Sequence, residues 1–316
     1  MKKYIISAVM LLATVMLTAS CSSDDPSSTS IFQTEETAQT EFDQWLYRNF
    51  TQPYNIQFLY RYNDKETDNT YNVIPADPEK AKALAIMVRH LWIDAYAEAA
   101  GREFIKANGP KIYQLLGSPE FNTQGSIVLG YAESGVKITL FRVNEIDIDA
   151  PYVNITDPFR DHYESPLDLN FWYFHTMHHE FFHILTQLKN YSTDYQTISA
   201  GHYHTSDWVN VDDADAPLEG FVTGYASGEY NEDIAEMYST YVTSTDEAWQ
   251  KIMDVAATST VNDKTCDKIL EEKLEIVRSY LNDSWGIDLE NLREIVLRRT
   301  QEVTTLDLRT LTDNEY

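Results

Sequence analysis

Residues 179–183, His-Glu-Phe-Phe-His, constrain this chain more than any other part of its sequence. They lie in a largely apolar stretch, Phe171 to Leu188, which predicts a buried helix. His179 and His183 are four positions apart, so they share one face of that helix. Two imidazoles on one face can bind one metal ion, and Glu180 is placed to reach a water molecule bound there.

This H-E-x-x-H spacing is typical of zinc hydrolases, in which the glutamate is the general base. A catalytic zinc takes three protein ligands and keeps the fourth position for water, so a third ligand must come from elsewhere. We predict that Glu232 supplies it. Glu236, one helical turn later, is predicted to bond the outer nitrogen of a ligand histidine and fix its tautomer. Glu236 itself and Glu219 are the alternative ligands.

The first residues predict an export signal. Lys2 and Lys3 precede an apolar run, Ile5 to Leu17, that is too short to span a bilayer. The segment Thr18 to Cys21 resembles a bacterial lipobox, in which the cysteine is lipidated. An ordinary secretory signal is the alternative. We therefore expect a signal peptide over residues 1–20, a lipidated Cys21 with a flexible tether over 21–30, and one domain over 31–316.

The charge and cysteine content limit the partners. The chain has 24 Lys and Arg against 50 Asp and Glu, a net charge of −26, and removal of Lys2 and Lys3 would leave −28 (−26 minus 2). Such acidity argues against nucleic acid as a partner. Cys266 has no intramolecular partner if Cys21 carries lipid, so neither a disulfide framework nor a cysteine-bound metal is expected.

The hydrophobic pattern predicts an α+β domain whose C-terminal part is helical. Helices are expected from Glu35 to Phe50 and from Asp77 to Gly101, with a β-like segment between them. Alternating residues from Ser126 to Val143 predict a hairpin that turns at Glu133 to Gly135, within a small antiparallel sheet. Residues 165–168 resemble a capping box for the motif helix.

Farther along, the sequence predicts a long loop and then a series of helices. The loop spans Lys189 to Tyr230 and shows little periodicity. The helix that carries the candidate third ligand is expected from Asn231 to Val242, with Asn231 as its cap. Three more helices are predicted at Glu247–Ala256, Asp263–Leu281 and Asp288–Arg299.

The motif and the later glutamates resemble the gluzincin class of metalloproteases. Residues 232–236 are similar to the ligand helix of lethal-factor-type zinc proteases, which place a catalytic tyrosine seven residues before the ligand glutamate. Tyr225 holds that position here, and the resemblance implies that it donates to the developing oxyanion. The same resemblance implies a zincin-like fold in which the edge hairpin aligns an extended peptide over the cleft. Phe182 departs from the toxin pattern, which has glycine there.

A broader resemblance covers nearly all of the chain after the signal. It rests on Cys21, on the Pro-Lys-Ile run at residues 110–112, on residues 132–135, 179–185, 220–226 and 231–236, and on Trp285 to Asp288. These segments are similar to the substrate-import-associated zinc metallohydrolase lipoproteins of Bacteroidetes. That family implies an outer-membrane lipoprotein beside a TonB-dependent importer. The acidic pair Asp24 and Asp25 after Cys21 resembles the surface-export signal of Bacteroidetes lipoproteins, so display at the cell surface is expected, with the periplasmic face as the alternative.

These features together predict a lipid-anchored zinc metallopeptidase with Zn²⁺ as its cofactor and a peptide as its substrate. Its expected ligands are His179, His183 and Glu232, with Glu180 and Tyr225 as catalytic residues. Two alternatives stay open. One is a non-catalytic surface lipoprotein that binds a ligand for import. The other is a zinc hydrolase that acts on a bond other than a peptide bond.

Overall fold

Helices form most of the chain in the computed structural model. The model describes residues 39–62, 73–121, 127–128, 130–133 and 136–313, with backbone only at 121, 127–128 and 130–133. The predicted signal peptide, Cys21, the tether, and Ser134 and Gly135 of the predicted turn lie outside these residues. The described residues from Thr40 onward belong to one compact unit. None of the described helices is both long and apolar enough to cross a bilayer.

The α-helices have the following bounds: Glu41–Leu46, Gln52–Tyr54, Pro78–Val88, Asp94–Ala100, Arg102–Asn108, Thr176–Leu188, Asp194–Ile198, Tyr230–Thr243, Asp246–Ala256, Cys266–Tyr280 and Leu289–Gln301. Four π-helical segments continue α-helices without a break: Tyr47–Thr51, Arg89–Ile93, Asn170–His175 and Leu281–Trp285. We call Thr176–Leu188 the histidine helix and Tyr230–Thr243 the glutamate helix.

Local capping explains where several helices begin. Asp77 Oδ1 accepts the backbone N–H groups of Glu79 and Lys80 at 2.9 and 3.1 Å, which confirms the predicted start at Pro78. Asp288 caps the last α-helix in the same way, through a 2.9 Å bond from the backbone N–H of Asn291. The predicted helix from Asp77 to Gly101 and the three C-terminal helices are therefore confirmed, with small shifts at their ends.

Two predicted caps are wrong. Ser165 lies too far ahead of the motif helix, and Asp168 instead accepts the N–H of Asn170 at 3.0 Å. Asn231 lies inside the glutamate helix, which begins at Tyr230. Its side-chain oxygen therefore accepts the hydroxyl of Tyr191, at 3.0 Å, and does not cap the helix.

Among the described residues the strands are short: β1 Gln57–Leu59, β2 Ile112–Leu115, β3 Glu120–Phe121, β4 Ile127–Val128, β5 Gly130–Glu133, β6 Lys137–Leu140, β7 Thr260–Val261 and β8 Lys264–Thr265. The main sheet has the order β1-β2-β6-β5. β1 with β2 and β2 with β6 pair in parallel, and only β5 with β6 is antiparallel. The predicted β5–β6 hairpin is confirmed, but the antiparallel sheet is wrong. Its parallel pairs require crossovers, which leave no local turn signal.

The histidine helix is held in the core by the two phenylalanines of its motif. The ring of Phe181 packs edge-on against Trp92 and Tyr96, with ring centres 4.9 and 5.0 Å away. Phe182 stacks on Tyr238 of the glutamate helix at 4.6 Å. Both phenylalanines are fully buried. The residue that replaces the toxin glycine thus joins the two helices that carry the candidate ligands.

Candidate metal centre

Three candidate ligands meet where the histidine helix and the glutamate helix pack together. The Nε2 atoms of His179 and His183 lie 3.0 Å apart. One oxygen of Glu232, Oε2, lies 3.0 Å from the first nitrogen and 3.2 Å from the second. The chain segment from His183 to Glu232 therefore folds back and returns a carboxylate to the paired imidazoles.

The spacing of these three atoms fits a zinc ion. Tetrahedral coordination with bonds of about 2.0–2.2 Å places ligand atoms about 3.3–3.6 Å apart. The three observed separations, 3.0 to 3.2 Å, lie slightly below that range. Imidazole nitrogen and carboxylate oxygen are also donors that zinc accepts readily.

A second group of donors lies behind His179. Its Nδ1 atom is 2.7 Å from Glu236 Oε1, which also lies 2.9 Å from His175 Nε2. The other oxygen of Glu236 accepts the hydroxyl of Thr223 at 2.7 Å. His175, His179 and Glu236 are close enough to hold a metal ion, as are His179, His183 and Glu232. The two groups share His179, one on each side of its ring.

The two carboxylates control the protonation of the shared histidine. Burial alone would lower the pKa of His179, but hydrogen bonds to Glu232 and Glu236 outweigh burial and raise it well above its usual value. Burial opposes ionisation of Glu236, yet the charge and hydrogen bond of His175 hold its pKa well below normal. Glu236 is therefore a buried anion that accepts a hydrogen bond from Nδ1 of His179. The other ring nitrogen, Nε2, faces Glu232.

A cleft of about 770 Å³ opens in front of the first group. Its lining includes His179, His183 and Glu232, together with Glu180 and Tyr225. All five residues that the sequence assigned to ligation and catalysis therefore border one cavity. Their predicted roles stay predictions.

Tyr225 stands at the edge of this cleft on a short 3₁₀ turn, Tyr225–Ser227. Its ring packs against Trp208, with centres 4.8 Å apart, and lies 5.7 Å from the ring of His179. Desolvation and the negative charges of Glu232 and Glu180 raise the pKa of Tyr225 far above its usual value. The phenol therefore keeps its proton at neutral pH and can donate a hydrogen bond into the cleft.

A buried ion pair that the sequence did not reveal fixes the glutamate helix beside the site. Lys273 Nζ lies 2.6 Å from Asp233 Oδ2, and both side chains are fully buried. Lys273 also donates to the carbonyl of Gly220 at 2.8 Å, while the hydroxyl of Tyr203 donates to Asp233 at 2.9 Å. These bonds connect the long loop, the glutamate helix and Cys266–Tyr280. Asp233 follows Glu232 directly, so the pair orients the turn that presents Glu232.

The alternative ligand Glu219 and the nearby Asp213 lie outside both donor groups. Glu219 pairs with His204 Nε2 at 2.6 Å and belongs to neither donor group. Asp213 accepts the backbone N–H of Gly224 at 2.8 Å and lies 3.1 Å from His162 Nε2. Both carboxylates therefore stabilise the loop.

An α+β fold with histidine and carboxylate donors facing one cleft is typical of zinc-dependent hydrolases. Residues 35–290 match a family model described as "Putative zinc-binding metallo-peptidase". A solved structure of a protein from Bacteroides caccae ATCC 43185, titled a "putative zinc-binding metallo-peptidase", is 38% identical in sequence. The match covers 90% of this chain and 100% of that one, with a TM-score of 0.68. No curated protein matches this chain.

The chain therefore belongs to this family of zinc-binding metallopeptidases. Zinc as the cofactor is confirmed at the level of the family, and the described His/Glu groups offer suitable donors. Peptides are the substrate class of a peptidase. The broad prediction of an α+β zinc metallopeptidase is thereby confirmed.

Proposed function

We propose that this protein is a gluzincin-type peptidase with a zincin-like fold, and that His179, His183 and Glu232 hold its catalytic zinc. The observation that carries the proposal is the approach of these three donors to within 3.2 Å of one another at the cleft. Zinc bound there would polarise the scissile carbonyl and make hydroxide available at neutral pH.

Glu180 is the general base in this proposal. Its position directly after His179 places it on the cleft wall beside the three donors. Its carboxylate accepts the proton of the attacking water and then delivers it to the leaving amine. Tyr225 borders the same cleft and keeps its phenolic proton, so it donates to the oxyanion as that charge develops.

Strand β5 is placed to align the substrate. It is the edge strand of the main sheet and lies beside the histidine helix. An extended peptide added to this edge would run past the three donors with its backbone held by strand pairing. This supports cleavage of a peptide bond over hydrolysis of other substrates.

The test of this proposal is hydrolysis of a diverse peptide library by the purified, zinc-loaded protein, followed by mass spectrometry. We expect cleavage that a chelator stops and that zinc restores. Glu180→Gln should keep zinc but lower the cleavage rate by about 100-fold or more. A Gln variant as active as the parent would remove Glu180 from the mechanism. A ligand-binding lipoprotein would retain peptides without cleaving them.

We also propose that Cys21 is lipidated and anchors the protein in the outer membrane, beside a TonB-dependent importer. The small residues before Cys21 and the polar tether after it support this proposal. Radiolabelled palmitate should label the parent in cells but not Cys21→Ser, which should leave the membrane fraction. Protease added to intact cells should digest a surface-displayed domain and spare a periplasmic one. An unlabelled parent would contradict the anchor.

A further inference from the structure

The cleft in front of the candidate zinc group is negatively charged. Its lining contains three carboxylates, Glu180, Glu229 and Glu232, and none of its described residues is lysine or arginine. The proposed mechanism uses Glu180 as the base and Glu232 as a ligand. Glu229 has no role in that chemistry, although it borders the same cavity.

The surroundings of Glu229 leave its carboxylate available. The residue is exposed, and within the described part of the chain no cationic side chain forms an ion pair with it. Its one described side-chain partner is the amide of Asn231, which donates to Oε1 at 3.4 Å. Asn231 is held in turn by the hydroxyl of Tyr191 at 3.0 Å. Tyr191 and Asn231 also line the cleft, so this chain of bonds keeps the carboxylate at the cleft wall.

The backbone position of Glu229 is also fixed. It directly precedes the glutamate helix, and its carbonyl accepts the N–H of Asp233 at 2.9 Å. A carboxylate with free acceptor capacity, in a cavity whose described lining has no lysine or arginine beside it, attracts a positively charged group.

We propose that Glu229 is a specificity residue that binds a positively charged group of the peptide, either a lysine or arginine side chain or the N-terminal ammonium. This inference rests on the proposed function, because it places a peptide in the zinc cleft. Glu229 lies three positions before Glu232 in the chain, and Glu232 is a proposed zinc ligand. A cation bound by Glu229 therefore lies at a fixed position relative to the scissile bond at the zinc. The protein therefore selects where it cleaves by the location of a positive charge.

The test uses zinc-loaded Glu180→Gln, which retains peptides without cleaving them, and a randomised decapeptide library. Half of the library is N-acetylated. If a side chain is recognised, retained peptides should be enriched in lysine or arginine at one position in both halves. If the N-terminal ammonium is recognised, only the unacetylated half should be retained. Mass spectrometry of the retained peptides measures both outcomes.

Adding Glu229→Gln should lower the enrichment of cationic peptides about fivefold, the effect of one partly exposed ion pair. Glu229→Lys should favour acidic peptides instead. Glu103→Gln removes one negative charge from an exposed residue that does not line the cleft, and it should leave the enrichment unchanged. This control separates a local contact from the effect of net charge.

Two results would overturn the proposal. One is a Glu180→Gln protein that retains no cationic peptides in excess, whether it binds nothing or binds without regard to charge. The other is equal enrichment with and without Glu229→Gln. Incubation of the wild-type protein with the same library separates the two proposals. Charge-selective retention without cleavage would refute peptidase activity but support cation binding by Glu229. Cleavage that does not depend on charge would support peptidase activity but refute the role of Glu229.

Discussion

The two sides of the His179 ring carry similar donors in different surroundings. On the Nε2 side, His183 and Glu232 face a cleft of about 770 Å³. On the Nδ1 side, Glu236 is buried and its oxygens already contact His175, His179 and Thr223. A catalytic metal must exchange solvent and reach a substrate, whereas an orienting carboxylate must be shielded from both. The difference in burial therefore supports the proposal that the metal binds on the Nε2 side.

The largest expected effect is the difference in bound zinc between His183→Ala on the cleft side and His175→Ala on the buried side. His183→Ala removes a donor from the cleft side, so bound zinc should fall well below one per chain and cleavage should be lost. His175→Ala removes a donor from the buried side only and should keep zinc near one per chain. Elemental analysis of the two purified variants makes the comparison. If His175→Ala lost zinc and His183→Ala retained it, the metal would bind on the Nδ1 side and not at the cleft.

Tyr225→Phe tests whether the cleft side also carries the oxyanion donor. Loss of one such donor should lower kcat about 100-fold, with zinc content and KM little changed. Tyr163→Phe, at an exposed position that does not line the cleft, is the control and should leave kcat unchanged. Equal rates for Tyr225→Phe and the parent would limit Tyr225 to packing against Trp208.

Glu236→Gln tests the buried side as support for the ligand. Glutamine can still accept the Nδ1–H of His179 but carries no charge, so zinc affinity should fall about 10- to 100-fold. Glu232→Gln removes a ligand and should weaken zinc binding more. Competition with a chelator of known affinity measures both constants. A larger loss from Glu236→Gln would favour Glu236 as the third ligand.

Thr223→Val should have the smallest effect. It removes the hydroxyl that donates to Glu236 at 2.7 Å and leaves a similar volume. We expect a loss of about 1–2 kcal/mol in the free energy of unfolding, and zinc affinity within a few-fold of the parent. Urea unfolding and the same chelator competition test both values. A zinc affinity that falls as far as in Glu236→Gln would mean that Thr223 fixes the ligand geometry itself.

The sequence predicted the parts of the site that depend on helical periodicity. The four-residue spacings of His179 with His183 and of Glu232 with Glu236 place each pair on one helix face, and both pairs face the shared site. Asp77 and Asp288 were predictable as caps because a cap bonds backbone groups only two or three residues away.

Other features depend on contacts between residues far apart in the chain. The hydrogen bond between His175 and Glu236 exists only after the two helices pack, and the pairing of Asp233 with Lys273 joins residues 40 positions apart. The parallel pairing of β2 with β6 also joins segments that are distant in the chain. The wrong cap at Asn231 has a local cause, since the helix begins one residue earlier than its sequence pattern indicates.

The position of the zinc ion distinguishes the two sides of His179 in one experiment. Crystals of the zinc-loaded protein, measured on both sides of the zinc absorption edge, would locate the ion by its anomalous scattering. We expect one peak bonded to the Nε2 atoms of His179 and His183 and to Glu232, at about 2.0–2.2 Å. A peak on the Nδ1 side, between His175 and Glu236, would contradict the assignment of the catalytic metal to the cleft.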